Sequence, residues 1–160
     1  MTPGGWSCVG RKPGTLLAGG LSLTTVGVMV RGMGGVSTWL AVAIGGALGS
    51  VARFWLAAAM TALTGLRFPW GTLLINVLGS FVIGLVAGYT LTPTRVAMHP
   101  DLRIFLMVGV CGGFTTFSAF SLQTLELLQS GDVWPAGGYV VGSVVLCVLA
   151  TWGGVMLGKA

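Results

Sequence analysis

Few side chains in this chain could do chemistry, and those few gather into short groups. Asn76 is a carboxamide in a long apolar run, with Thr72 four residues before it and Ser80, Gly84 and Gly88 following at the same interval. Spacing of four keeps these residues on one slowly drifting helix face. The small residues read as a packing seam. Asn76 reads either as a helix-to-helix hydrogen bond or as a donor in a wet cavity, because an amide at membrane depth must find partners. A second group is Gly109-Val110-Cys111-Gly112-Gly113-Phe114-Thr115-Thr116-Phe117-Ser118-Ala119-Phe120-Ser121. Two glycines followed by two β-branched threonines predict a break in any helix passing through. A break frees backbone carbonyls, which are ligands for a hard cation. The competing reading is an unbroken helix in which Gly109 and Gly113 form a contact with a neighbour. Phe117 and Phe120 are three apart and share a face; spacing alone reads them as lipid-facing or packed. A third group, Tyr139, Ser143, Cys147 and Thr151, sets three hydroxyls and a thiol at intervals of four, a file of hydrogen-bond donors able to face the Thr72/Asn76 stripe.

The rest of the composition narrows the chemistry. Three acids, one histidine and three scattered cysteines are poor material for acid-base work, a metal cage or a disulfide framework. An enzyme is not expected. Of 160 residues, 54% are hydrophobic, 7% are charged and 28 are glycine. A soluble domain carries about a quarter charged residues, so this composition describes a membrane protein. The net charge of +5 does not point to nucleic acid, because the basic residues stand singly or in pairs at the ends of apolar runs, as they do around spanning helices.

Roughly 20 apolar residues cross a bilayer, and four stretches qualify: Val36 to Met60, Trp70 to Leu91, Leu102 to Leu128 and Trp134 to Leu157. Short connections then imply antiparallel neighbours in one compact bundle. Before them, residues 1–32 form a Gly-rich extension. Arg11-Lys12 and the run Thr15 to Val30 have the outline of a signal peptide but lack a convincing cleavage site; the plainer reading is a poorly ordered extension, or even translation begun upstream of a natural start at Met29 or Met33. Counted from Met1, the basic residues favour an N-terminus in the cytoplasm. Counted from Met33, Arg95, Arg103 and Lys159 stand against Arg53 and Arg67, a bias small enough for insertion both ways.

Three motifs then become recognisable: Gly45-Gly46-Ala47-Leu48-Gly49-Ser50-Val51-Ala52-Arg53-Phe54, Gly71-Thr72-Leu73-Leu74-Ile75-Asn76-Val77-Leu78-Gly79-Ser80-Phe81, and Gly112-Gly113-Phe114-Thr115-Thr116-Phe117-Ser118-Ala119-Phe120-Ser121. Their order and spacing over residues 33–159 resemble the Fluc (CrcB) fluoride channels. The resemblance implies an all-α membrane protein of four transmembrane helices, broken in the third, working in the cell membrane as an antiparallel, dual-topology homodimer or with a paired homologous subunit. It implies two fluoride pores and one structural sodium, not transported, held by backbone carbonyls of Gly112 and Thr115. It assigns fluoride to Asn76, Phe117 and Phe120, with Thr72, Ser118, Tyr139 and Ser143 lining a polar track and Arg53 near a vestibule or anchoring the fold.

Three positions depart from the family pattern: Cys147 where serine is common, Ala119 for a small hydroxyl residue, and Gln123 where a glutamate is usual. The function implied is passive fluoride efflux that lowers fluoride toxicity. Two rivals remain on sequence grounds: a small proton-coupled exporter of organic cations, which needs a membrane-embedded carboxylate that only Glu126 could supply, and a pore-less assembly subunit.

Overall fold

A computed structural model describes residues 35–90 and 98–160. The Gly-rich extension and the Thr92-Pro93-Thr94-Arg95 turn lie outside the described residues. Four helical spans are present among the described residues: α1, Val36–Thr64; α2, Trp70–Thr90; a composite third span, Pro100–Gln129; and α6, Val133–Lys159. Each is long and apolar enough to cross a membrane. The third span is assembled from α3, Pro100–Ile104, a π-helical segment, Phe105–Cys111, then α4, Gly112–Phe114, and α5, Phe117–Gln129. The described residues are thus all helix and connections, as the composition requires, and α1, α2 and α6 bracket the expected spans within a few residues.

Two turns are set by glycines in the left-handed region. Gly65, at φ 78, ends α1, and Gly131, at φ 82, turns the chain between α5 and α6. Either position would strain any residue with a Cβ. The α3 helix starts at Pro100, whose ring suits the first helical turn, and its His99 cap accepts the Asp101 amide. The Asp101 carboxylate in turn accepts the Thr38 hydroxyl at 2.9 Å, tying the start of the third span to the start of α1.

Glycine seams decide which spans touch most closely. A Cβ added to Gly84 or Gly88 of α2 would strike the carbonyls of Thr151 or Val155, and one added to Gly154 or Gly158 of α6 would strike those of Phe81 or Leu85. Contacts that rise in number together along both helices mean that α2 and α6 run parallel. The other seam joins α1 to the third span: a Cβ on Gly45 would lie 2.7 Å from the Phe105 carbonyl, one on Gly49 would strike that of Val110, and one on Gly113 would lie 2.5 Å from that of Gly46. These two also run parallel. Connections between consecutive spans do make them antiparallel, but the tightest packing is between the first and third and between the second and fourth. Between lipid-exposed helices there is no hydrophobic driving force to pair neighbours in sequence, so close backbone approach at small residues sets the order.

Candidate functional site: a cleft at the interruption of the third span

The helix does stop, two residues after the paired glycines. Gly112 and Gly113 are helical, Phe114 ends the turn, and Thr115 (φ −80, ψ 158) and Thr116 (φ −152, ψ 115) are extended before α5 begins at Phe117. Both sequence readings of this stretch therefore hold in part. The chain breaks, and Gly109 and Gly113 also serve as a close contact, with α1 at Gly45 and Gly46.

Side chains hold the interruption open. Asn76 reaches across from α2 and pairs with the backbone of Thr116 twice: its Nδ2 donates to the Thr116 carbonyl at 3.1 Å, and its Oδ1 accepts the Thr116 amide at 2.9 Å. The Thr116 hydroxyl caps α5 by accepting the Ala119 amide at 3.2 Å, and lies 3.2 Å from the Ser118 hydroxyl. Thr115 turns its hydroxyl back onto the Cys111 carbonyl at 2.9 Å, which also accepts the Thr115 amide. Its methyl group packs at Gly79, where a Cβ would collide with it. A longer contact, 3.5 Å, joins the Ser50 hydroxyl to the Gly113 carbonyl.

Against this interruption lies a cleft of about 350 Å³ between α2, the third span and α6. Asn76, Ser80, Thr116, Phe117, Ser143 and Cys147 are among the residues that line it. Ser143 is 6% exposed, and its hydroxyl has no hydrogen-bond partner among the described residues. A buried hydroxyl left unpaired costs about 1–3 kcal/mol, so a donor here is available to something entering the cleft. Asn76 has a second Nδ2 hydrogen beyond the one bound to Thr116. Phe117 stands 78% exposed at the cleft, its ring centre 5.4 Å from that of Phe120.

Phe120 in turn lies tilted against Tyr139, ring centres 5.1 Å apart, and Tyr139 is 1% exposed and donates its hydroxyl to Oε1 of Gln123 at 3.1 Å. Phe68 meets the other side of Tyr139 edge-on at 5.5 Å. Past this aromatic group, a second cavity of about 360 Å³ opens at the connection between α1 and α2, with Thr72 and Gln123 in its wall and Arg67, Glu126 and Asp132 around it.

The structure thus gathers most of the residues singled out by sequence. Asn76, Phe117 and Ser143 share the first cleft with Thr115, whereas Thr72 lies buried at the second cavity. Phe120 lines the first cleft too, and contacts from Phe117 through Phe120 and Tyr139 lead on to Gln123. Ser118 is exposed beside the Thr116 cap, and Gly112 is exposed, with open space where a Cβ would be. Arg53 is half-buried on α1 and lines neither cavity. The file along α6 is divided: Ser143 and Cys147 line the cleft, while Thr151 bonds back to the Cys147 carbonyl and sits in the glycine seam. Two contributors were not foreseen: Thr116, whose side chain and backbone are both engaged, and Gln123, which completes Tyr139. Their signals were the β-branched pair and a polar residue two turns into α5.

Residues 40–155 match the profile of the family described as CrcB-like protein, Camphor Resistance (CrcB). Among curated relatives, a fluoride-specific ion channel FluC of Opitutus terrae is 55% identical over 117 residues, covering 73% of this chain and 89% of that protein. A protein of the same name from Paramagnetospirillum magneticum is 53% identical over 115 residues, 72% of this chain and 90% of its own. One from Geobacter sulfurreducens is 47% identical over 124 residues, 78% and 98% of the two chains. A profile that matches most of the chain, and relatives about half identical over nearly their whole length, place it: the chain belongs to the CrcB-like family.

Proposed function

We propose that this protein is a fluoride-specific channel, a multi-pass membrane protein that lets fluoride leave the cell down its electrochemical gradient. The observation that carries the reading is the cleft in which uncharged donors converge: the spare Asn76 amide hydrogen and the unpaired Ser143 hydroxyl, with Phe117 at the edge. Fluoride holds its water tightly, so a pore must replace that water with donors that bind without trapping. An amide and hydroxyls do so, and the positive edge of a phenylalanine ring adds attraction without a full charge. One anion leaving a negative interior gains about 2.3 kcal/mol per 100 mV, so no pump is needed and the protein is no enzyme. Thr72, Ser118, Tyr139 and Ser143 continue the polar track. Arg53, off both cavities, acts through the fold or through a vestibule that a second subunit completes.

The working unit is a dimer of opposite orientations, formed with a second copy or with a paired homologue. The exposed Phe117 ring and the open face at Gly112 supply the surface. A structural sodium fits the same face. In an unbroken α-helix the Gly112 carbonyl would accept the Thr116 amide and the Thr115 carbonyl the Ala119 amide, yet both amides are bonded elsewhere. Uncharged oxygens of this kind suit a hard monovalent cation. When bound, sodium would supply a fixed positive charge that braces the interruption.

Glu126 supports the channel over a proton-coupled exporter: it is exposed, near the end of α5 beside the second cavity, and not a carboxylate sealed in the bundle. The test is efflux from liposomes holding this chain alone. Fluoride should be released and chloride retained; chloride release at a similar rate would contradict the reading, and release of neither would favour a paired homologue or a pore-less subunit.

A further inference from the structure

We infer that Asn76 and Thr116 are positioning residues for the cation: each takes, with its own side chain, the amide that would otherwise close a helical turn on a sodium-binding carbonyl. The inference rests on the sodium reading above. In an α-helix each amide bonds the carbonyl four residues earlier. The Thr116 amide belongs to Gly112 and the Ala119 amide to Thr115, the two oxygens at issue. Oδ1 of Asn76 accepts the first at 2.9 Å and the Thr116 hydroxyl accepts the second at 3.2 Å.

Two features make this more than an ordinary helix end. A helix that ends in water leaves its carbonyls to the solvent, but at bilayer depth an unpaired carbonyl has no such partner and the chain returns to the helical bond when it can. Here it cannot, because the competing acceptors are already in place. Both displacements also converge on one residue, since Asn76 grips Thr116 by amide and carbonyl while the Thr116 hydroxyl caps α5. Loss of either acceptor lets one amide swing back to its carbonyl and removes one oxygen from the cation. Asn76 lines the fluoride cleft as well, so one carboxamide holds an anion donor with its nitrogen and a cation site with its oxygen.

The two jobs separate by substitution. Asn76→Asp keeps an oxygen for the Thr116 amide and loses the donor; Asn76→Ala loses both. Thr116→Ser keeps the cap, whereas Thr116→Val removes it. The readout is the sodium concentration giving half of the sodium-specific rise in unfolding temperature of the full chain in detergent, with choline holding ionic strength constant. The wild type should respond to sodium, Asn76→Ala and Thr116→Val should need about tenfold more, and Asn76→Asp and Thr116→Ser should respond near the wild-type concentration, although Asn76→Asp no longer passes fluoride. A merely structural role would lower the unfolding temperature in every salt and leave the sodium midpoint in place. Unshifted midpoints in Asn76→Ala and Thr116→Val, with a responsive wild type, overturn the inference alone. An unresponsive wild type overturns the sodium reading and the inference together. Should Asn76→Ala fail to fold, the Thr116 pair decides.

Discussion

Tyr139 donates its phenolic hydrogen to Oε1 of Gln123 at 3.1 Å, joining α6 to α5 at a point where Tyr139 is almost wholly buried. The acceptor, and not the amide as such, is what Tyr139 needs. Gln123→Glu should therefore keep both the fold and fluoride efflux. Gln123→Leu removes this acceptor and leaves Tyr139 only its side-chain interaction with Thr72, so it should lower stability by about 0.5–1.5 kcal/mol, read from denaturant or thermal unfolding in detergent. Equal stability of the two variants would contradict the pairing.

Phe117 should matter to conduction and little to the fold of one protomer. Its ring is 78% exposed and pairs with that of Phe120 at 5.4 Å. Phe117→Ile should drop fluoride efflux from liposomes at least about tenfold, or about 1.4 kcal/mol of barrier, while the unfolding temperature stays close to wild type. Efflux at the wild-type rate would remove the ring from the path.

Ser143→Ala should move stability and flux in opposite senses. Its hydroxyl is buried without a partner, so deleting it removes a desolvation penalty and should leave stability unchanged or raised by about 1 kcal/mol. Fluoride efflux should fall severalfold, because a donor has gone from the cleft. A marked loss of stability would mean that the hydroxyl has a partner.

Glycines of the same helix should divide sharply. A Cβ at Gly154 would run into the Phe81 carbonyl, whereas one at Gly142 meets nothing within 4 Å. Gly154→Ala should destabilise by about 1–3 kcal/mol; Gly142→Ala should be neutral or slightly stabilising, since alanine is the better helix former. Yields of folded protein after detergent extraction, with unfolding curves, compare the two. Similar behaviour would contradict the seam.

The spans were legible because their signal is local: twenty apolar residues bounded by turns can mean little else. The interruption was legible too, but its position was not. Gly112 and Gly113 look like the weak point, yet both are helical, and the glycine at 113 instead serves the close approach of α1 at Gly46. The break falls at Thr115 and Thr116, fixed by Asn76, forty positions away in sequence, and no local pattern carries that information. The π-helical turn from Phe105 to Cys111 was likewise unforeseen, as was the pairing of first with third and second with fourth spans; both belong to seams that only tertiary contact defines. Thr151 shared the spacing of Ser143 and Cys147 but went to a seam, because a period of four drifts around a helix of 3.6 residues per turn.

Interrupting the helix at Thr115 and Thr116 has a consequence for assembly inside a bilayer. Acyl chains solvate an aromatic ring as readily as protein does, so the bare Phe117 is no incentive for two molecules to meet. Oxygens stripped of their amides are a different matter, for hydrocarbon offers them nothing. In the dimer proposed above, association would on that account be driven by unmet polarity at one spot and not by greasy surface, and conditions that hydrate that spot should loosen the pair before they unfold either member.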